Sequence, residues 1–161
     1  MMTINEVELK NELKQELIDY YNKLKSDVDT KSLKLLKNIN NLHHSSKEEK
    51  RDLIFKEKIY LIKQIDRVCD SNLNDLEQLF ELLENNRQSL SLMTSNNDNV
   101  DDDNNIIKNE IKKRILNSYL IFVNQHRNYV TKYGGGGVLF EFQWFLDQNQ
   151  QNFMYLTLIL L

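Results

Sequence analysis

Apolar residues recur at steps of three or four along the stretch from Ser46 to about Leu83. The stripe consists of Phe55, Ile59, Ile62, Ile65, Cys69, Leu73, Leu76, Phe80 and Leu83. This spacing places the residues on one face of an α-helix, with charged residues opposite. Ser46 precedes Glu49 at capping-box spacing, so the helix is predicted to begin near Lys47. A rod of about 55 Å results, and its apolar face needs equally long partners.

The segment from Ile4 to Leu42 has the same periodicity and is predicted to form a first long helix, in which Ser32 takes one apolar position. Acidic residues lead and lysines trail, an order that complements the helix dipole. Residues 27–32 include weak helix formers, so we favour one continuous helix, with a kink there as the alternative. The short connection over residues 40–45 favours an antiparallel hairpin.

Residues 94–105 are almost entirely Ser, Asn and Asp, and we predict a disordered loop because they bury too little apolar surface. A third helix is predicted over residues 106–133, capped by Asp103 or Asn104. Its apolar face consists of Ile107, Ile111, Ile115, Tyr119, Phe122, His126, Val130 and Tyr133. Near residues 116–123 more than half of the circumference is apolar, which predicts a place inside a bundle or against a second protein.

The last segment, residues 134–161, differs from everything before it. Its four consecutive glycines are the only ones in a chain without proline, and they are predicted to end the third helix and form a hinge. Large apolar residues at 140, 142, 144 and 146 alternate with Glu141 and Gln143, which favours a strand, but Phe145 breaks the alternation and a helical turn is the alternative. Residues 153–161 are nearly all apolar but fall short of the roughly 20 residues that span a bilayer, so no transmembrane helix is predicted.

These patterns predict an all-α fold, either an elongated antiparallel helical hairpin or a three-helix bundle, with coiled-coil-like packing and a hydrophobic C-terminal tail. The predicted organisation is a hairpin over residues 1–93, a loop over 94–105, a third helix over 106–133, and a glycine hinge with an apolar tail over 134–161.

Net charge and cysteine content indicate which classes of partner and which cellular compartment to expect. The formal net charge is −3 over 161 residues, a balance that offers no broad attraction to nucleic acid, and none is expected to bind. A single cysteine excludes an internal disulfide and fits a reducing compartment. The N-terminal residues do not read as a secretory signal, and we therefore expect a cytoplasmic or nuclear protein.

Candidate reactive groups have structural explanations. The adjacent His43 and His44 suit capping of a helix C-terminus, and His126 is expected to be a satisfied core histidine. Cys69 lies on a core stripe, where a thiol acts as a small hydrophobe. The basic cluster over residues 112–114 is predicted to be a solvated face. We therefore expect no enzymatic activity, no cofactor and no catalytic or metal-binding residue.

The remaining signal is surplus apolar surface, which favours protein partners. The first hypothesis is a non-catalytic scaffold or adaptor subunit that assembles a multi-protein complex, and a homo-oligomer is compatible with the same faces. The residues predicted to bind a partner are Leu116, Leu120, Val123, Phe140, Phe142 and Trp144. The alternative is a peripheral membrane or trafficking factor that contacts a membrane surface through residues 138–161, although this tail lacks lysine and arginine.

Overall fold

A computed structural model describes residues 4–40, 47–91, 100–133 and 137–160. These ranges form four α-helices: α1 (Ile4–Asn40), α2 (Lys47–Ser91), α3 (Val100–Tyr133) and α4 (Gly137–Leu160). No strand occurs within them, so the predicted all-α fold is confirmed. The predicted cap Ser46, the two adjacent histidines and residues 94–99 of the predicted loop lie outside the described residues.

Ion pairs between α1 and α2 show that these two helices are antiparallel. Glu77 pairs with Lys10 and Lys14 near the start of α1. Further along α1, Lys25 bonds Asp66 at 2.7 Å. The pairing partner on α2 therefore moves backward as the position on α1 moves forward, as the predicted hairpin requires.

The other two helices extend the hairpin into a four-helix bundle with up-down-up-down topology. Arg114 of α3 lies 3.5 Å from Asp75 of α2, whereas Tyr129 near the end of α3 stacks on Tyr60 of α2. Helix α4 returns antiparallel to α3 and also packs against α1 and α2. Short connections between successive helices produce this arrangement, because they leave each helix beside the one before it.

Helix α1 is continuous through the segment where a kink was the alternative. Ser32 is buried at the predicted core position, and its hydroxyl donates to the carbonyl of Asp29 at 2.7 Å. Thr30 makes the same type of bond to the carbonyl of Ser26. These bonds satisfy the hydroxyl groups locally, which lets weak helix formers remain inside a helix.

All four helices contribute to a single apolar core. Its most deeply buried large side chains are Leu13, Tyr21, Ile54, Leu61, Ile65, Leu76, Phe80, Tyr119, Phe142 and Leu146. The hydroxyl of Tyr119 donates to the backbone carbonyl of Leu146 at 3.0 Å, which ties α3 to α4. The phenol is thus satisfied inside an apolar environment, and burial raises its pKa.

The predicted stripe of α2 is wrong in its first part. Phe55 and Ile59 are 49% and 54% exposed, whereas the neighbouring Ile54 and Leu61 are buried. The buried face of α2 also contains Glu57, a polar residue that interrupts the apolar pattern. A pattern restricted to apolar residues skips Glu57 and therefore selects Phe55 and Ile59, which are exposed.

The third helix begins earlier than predicted. It starts at Val100 and includes Asp101, Asp102 and Asp103, so that residues 100–105 are helical and do not belong to a loop. Asp and Asn are common residue types at helix N-termini, so the low apolar content that suggested disorder also suits the start of a helix.

The predicted strand is also wrong, because residues 137–160 form one helix. The alternating residues divide into two pairs with i,i+4 spacing. Phe142 and Leu146 face the core, and Phe140 and Trp144 face outward. Together with Leu139, the inward pair packs within the bundle, so this part of the tail folds back onto the other helices.

The phase of α2 can be tested with two neighbouring residues. Ile54→Ala should lower the free energy of unfolding by about 2–5 kcal/mol, because it opens a cavity at a fully buried site. Phe55→Ala removes a larger but half-exposed side chain, and we expect a smaller loss. Urea unfolding followed by circular dichroism measures both. A greater loss for Phe55→Ala would show that the predicted stripe had the right phase after all.

Candidate protein-interaction site

A chain of buried polar side chains fixes the position of α4 against α2 and α3. His126 of α3 is only 1% exposed, and its two ring nitrogens contact residues of the two neighbouring helices. Nδ1 lies 2.6 Å from Oε1 of Gln143 in α4. Nε2 contacts Oε1 of Glu57 in α2. One imidazole ring therefore joins three helices, as the expectation of a satisfied core histidine requires.

The polar chain continues to the protein surface. Nε2 of Gln143 donates to Oδ1 of Asp147 at 3.0 Å. The same carboxylate oxygen accepts a second bond, from the guanidinium of Arg127 at 2.7 Å. Arg127 is also held by Asn124, one turn earlier in α3, at 2.8 Å. The buried ring is thus connected to an exposed ion pair between α3 and α4.

This connectivity fixes where the ring protons lie. The amide nitrogen of Gln143 faces the carboxylate of Asp147, so its oxygen faces His126 and must accept a proton from Nδ1. Between Nε2 and Glu57, one group must donate and the other accept, because two bare acceptors would repel. One proton therefore lies between the imidazole and the carboxyl group, and the two atoms that meet there satisfy each other.

Opposite this inward face, α4 presents two aromatic side chains to solvent. Phe140 and Trp144 are 53% and 57% exposed and lie one helical turn apart. Lys31 of α1 lies beside them, with Nζ 5.4 Å from the centre of the Trp144 ring and 3.2 Å from Oε2 of Glu141. The polar chain holds the helix that carries these rings, so the aromatic pair is a surface with a fixed orientation.

The six residues predicted to bind a partner fall into two groups. Phe140 and Trp144 are exposed, as a contact surface requires. Val123 and Phe142 are buried in the core of this chain, so their side chains do not reach the surface of this fold. Leu116 packs against the same core, and Leu120 is half-buried. The structure thus places only the two aromatic residues on an outward face.

Three residues of this region gave no signal of a role in the sequence. Glu57 and Gln143 resemble solvent-facing residues by type, although both sit at helical spacing from buried neighbours. Lys31 resembled one more surface lysine. Each of the three also contacts a partner on another helix, and local periodicity does not reveal such pairs.

Cys69 does not offer a reactive thiolate. It is half-buried and packs against the core, as expected of a small hydrophobe. Burial raises the pKa of its thiol, and the neighbouring Asp70 raises it further, whereas Lys25 lowers it. The thiol therefore stays protonated at neutral pH.

The described ranges contain neither a metal-binding cluster nor a membrane-spanning helix. There, no three His, Cys, Asp or Glu side chains come together in a way that would hold a metal ion. No helix in those ranges is long and apolar enough to cross a membrane. A cleft between α2 and α3 near Asn72 and Arg114 leaves no space for a water-sized molecule.

Comparisons with protein families, curated proteins and solved structures found no match to this chain.

The polar chain predicts a graded response to changes at Glu57. Glu57→Leu leaves Nε2 of His126 without a polar partner, which should cost about 1–3 kcal/mol of unfolding free energy. Glu57→Gln should lose less, because its amide can donate to Nε2 while Nδ1 still donates to Gln143. Urea unfolding measures both variants. Wild-type stability for Glu57→Leu would contradict the proposed bonding.

Proposed function

We propose that this protein is a non-catalytic helical scaffold or adaptor subunit, located in the cytoplasm or nucleus, that binds another protein through the exposed aromatic pair of α4. The observation that carries this proposal is the exposure of Phe140 and Trp144 on a helix whose other face is locked into the core. Aromatic residues are enriched at protein interfaces, where they supply large contact areas at low entropic cost.

The surroundings of the aromatic pair indicate the kind of partner. Lys31 and Glu141 flank the rings, and they give the patch a polar rim around an apolar centre. Two rings one turn apart match the spacing by which an amphipathic helix is recognised. We therefore expect a helical segment of the partner to lie along α4, with its apolar face on the rings.

The alternative function, contact with a membrane surface, receives less support. Leu139, Phe142 and Leu146 would be needed for a membrane-inserting face of α4, but they are buried inside the bundle. Lys31, the lysine that contacts this patch, is only partly exposed and already pairs with Glu141, so it offers little attraction to anionic lipid. Vesicle flotation of the whole protein distinguishes the two functions, since only membrane contact predicts flotation.

The proposal is tested by the double substitution Phe140→Ala and Trp144→Ala. Both side chains are about half exposed, so the fold should persist while the partner loses its central contact. Interface aromatics often account for 2 kcal/mol or more, which corresponds to about a thirtyfold loss of affinity. Quantitative affinity purification from cells should recover the partner with the wild-type protein and much less of it with the double variant.

The matched control is Ile121→Ala, which removes an exposed apolar side chain from the outward face of α3. Its set of partners should equal that of the wild type. A set of partners unaffected by the double substitution would show that α4 does not carry the binding surface.

A further inference from the structure

A second exposed stripe runs along α2, a helix that does not carry Phe140 and Trp144. We name it the α2 outer stripe, and its members follow one another at steps of three or four residues. They are Glu49, Asp52, Phe55, Ile59, Lys63 and Arg67, all of them exposed. The stripe therefore begins with two acids, has two large apolar residues at its centre, and ends with two bases.

This order is complementary to itself when one copy is reversed. In an antiparallel pair of α2 helices related by a two-fold axis, the acidic end of each copy faces the basic end of the other. With the axis between Phe55 and Tyr60, Asp52 of one copy faces Lys63 of the second copy. Glu49 then lies beside Arg67 of the second copy. The symmetry makes each pairing occur twice.

The centre of the stripe provides the apolar contact. Phe55 and Ile59 are about half exposed. Tyr60 beside them stacks on Tyr129 of α3 and is 37% exposed. In the antiparallel register, the two copies bring these residues together around the axis. A central apolar cluster flanked by charges of opposite sign is the pattern that sets the orientation of paired helices.

Other charges near the stripe are compatible with this arrangement. In this register Asp66, near the basic end, faces Glu49 of the second copy, and the bond from Lys25 of α1 at 2.7 Å offsets its negative charge. Asp70 lies beyond the overlap, because its counterpart in the second copy would precede Lys47, where α2 begins. Lys56 faces Ile59 of the second copy, and its aliphatic stem can cover that side chain.

We propose that the α2 outer stripe is a dimerisation surface that binds a second copy of this chain in antiparallel orientation. The overlap spans about 30 Å of helix on each copy, which is small for an interface between proteins. A dimer with a dissociation constant in the micromolar range is therefore expected. Its association weakens as salt concentration rises, because the flanking ion pairs are exposed and screened.

The test is sedimentation equilibrium of the whole protein from low micromolar to several hundred micromolar concentration. The wild type should associate to a dimer. Asp52→Lys or Lys63→Asp alone should weaken the dimer at least tenfold, because each places two like-charged pairs across the axis. Asp52 and Lys63 lie three helical turns apart within one chain and do not contact each other. If the effect of one substitution depends on the other, the two residues therefore contact each other between copies.

Two recombinations decide the register. The double variant Asp52→Lys, Lys63→Asp should dimerise again, since every cross-axis pair regains opposite charges. An equimolar mixture of the two single variants should form a heterodimer about as stable as the wild-type dimer, although each variant alone dimerises weakly. A wild type that stays monomeric, single variants that dimerise like the wild type, or a failure of either recombination would overturn the proposal.

Two controls separate this surface from the others. Ile121→Asp changes an exposed side chain of α3 and should leave the dimer unaltered. The Phe140→Ala, Trp144→Ala variant should also dimerise normally, so failure of the α4 surface and failure of the α2 surface are distinguishable. Circular dichroism confirms that each variant is folded, and loss of the dimer in Ile121→Asp would indicate general destabilisation and overturn the assignment to α2.

Discussion

The contact of one buried imidazole with two other helices is the constraint on which this fold depends. A ring nitrogen or a carboxyl group left unpaired in an apolar core is costly, so His126, Glu57 and Gln143 are stable only when α2, α3 and α4 are together. Apolar contacts tolerate small shifts between helices, whereas this set of hydrogen bonds specifies one arrangement. That arrangement in turn decides which residues of α4 face outward, and hence which residues are available to a partner.

Much of the helical content could be predicted from the sequence, because three long segments have unbroken helical periodicity. The phase of α2 could not, since Glu57 and Asn72 occupy core positions, where they contact His126 and Tyr21. Partners on other helices make these polar residues compatible with burial, and they are invisible to a local pattern. Phe55 and Ile59, which fit the apolar pattern, instead remain exposed on α2.

The tail shows how two periodicities can share the same residues. Large side chains at every second position indicate a strand, but pairs four apart also satisfy a helix, as Phe142 with Leu146 and Phe140 with Trp144 do here. The wide apolar face of α3 explains why the helix is the outcome, because the returning α4 covers part of it and Tyr119 bonds its backbone. Part of the apolar surface that suggested an external partner is thus covered within the chain, and of the six residues predicted to bind one, Phe140 and Trp144 lie on an outward face.

The central claim is that α4 is an integral helix of the bundle and unfolds with it. Hydrogen exchange of the whole protein, followed by nuclear magnetic resonance, tests this claim most directly. Backbone amides from Phe142 to Leu146 should be as strongly protected as those of Leu61 and Ile65 in α2, because all of them are hydrogen-bonded within a helix and open only in global unfolding. Exchange of the α4 amides at rates typical of an unstructured peptide, while the α2 amides stay protected, would contradict it.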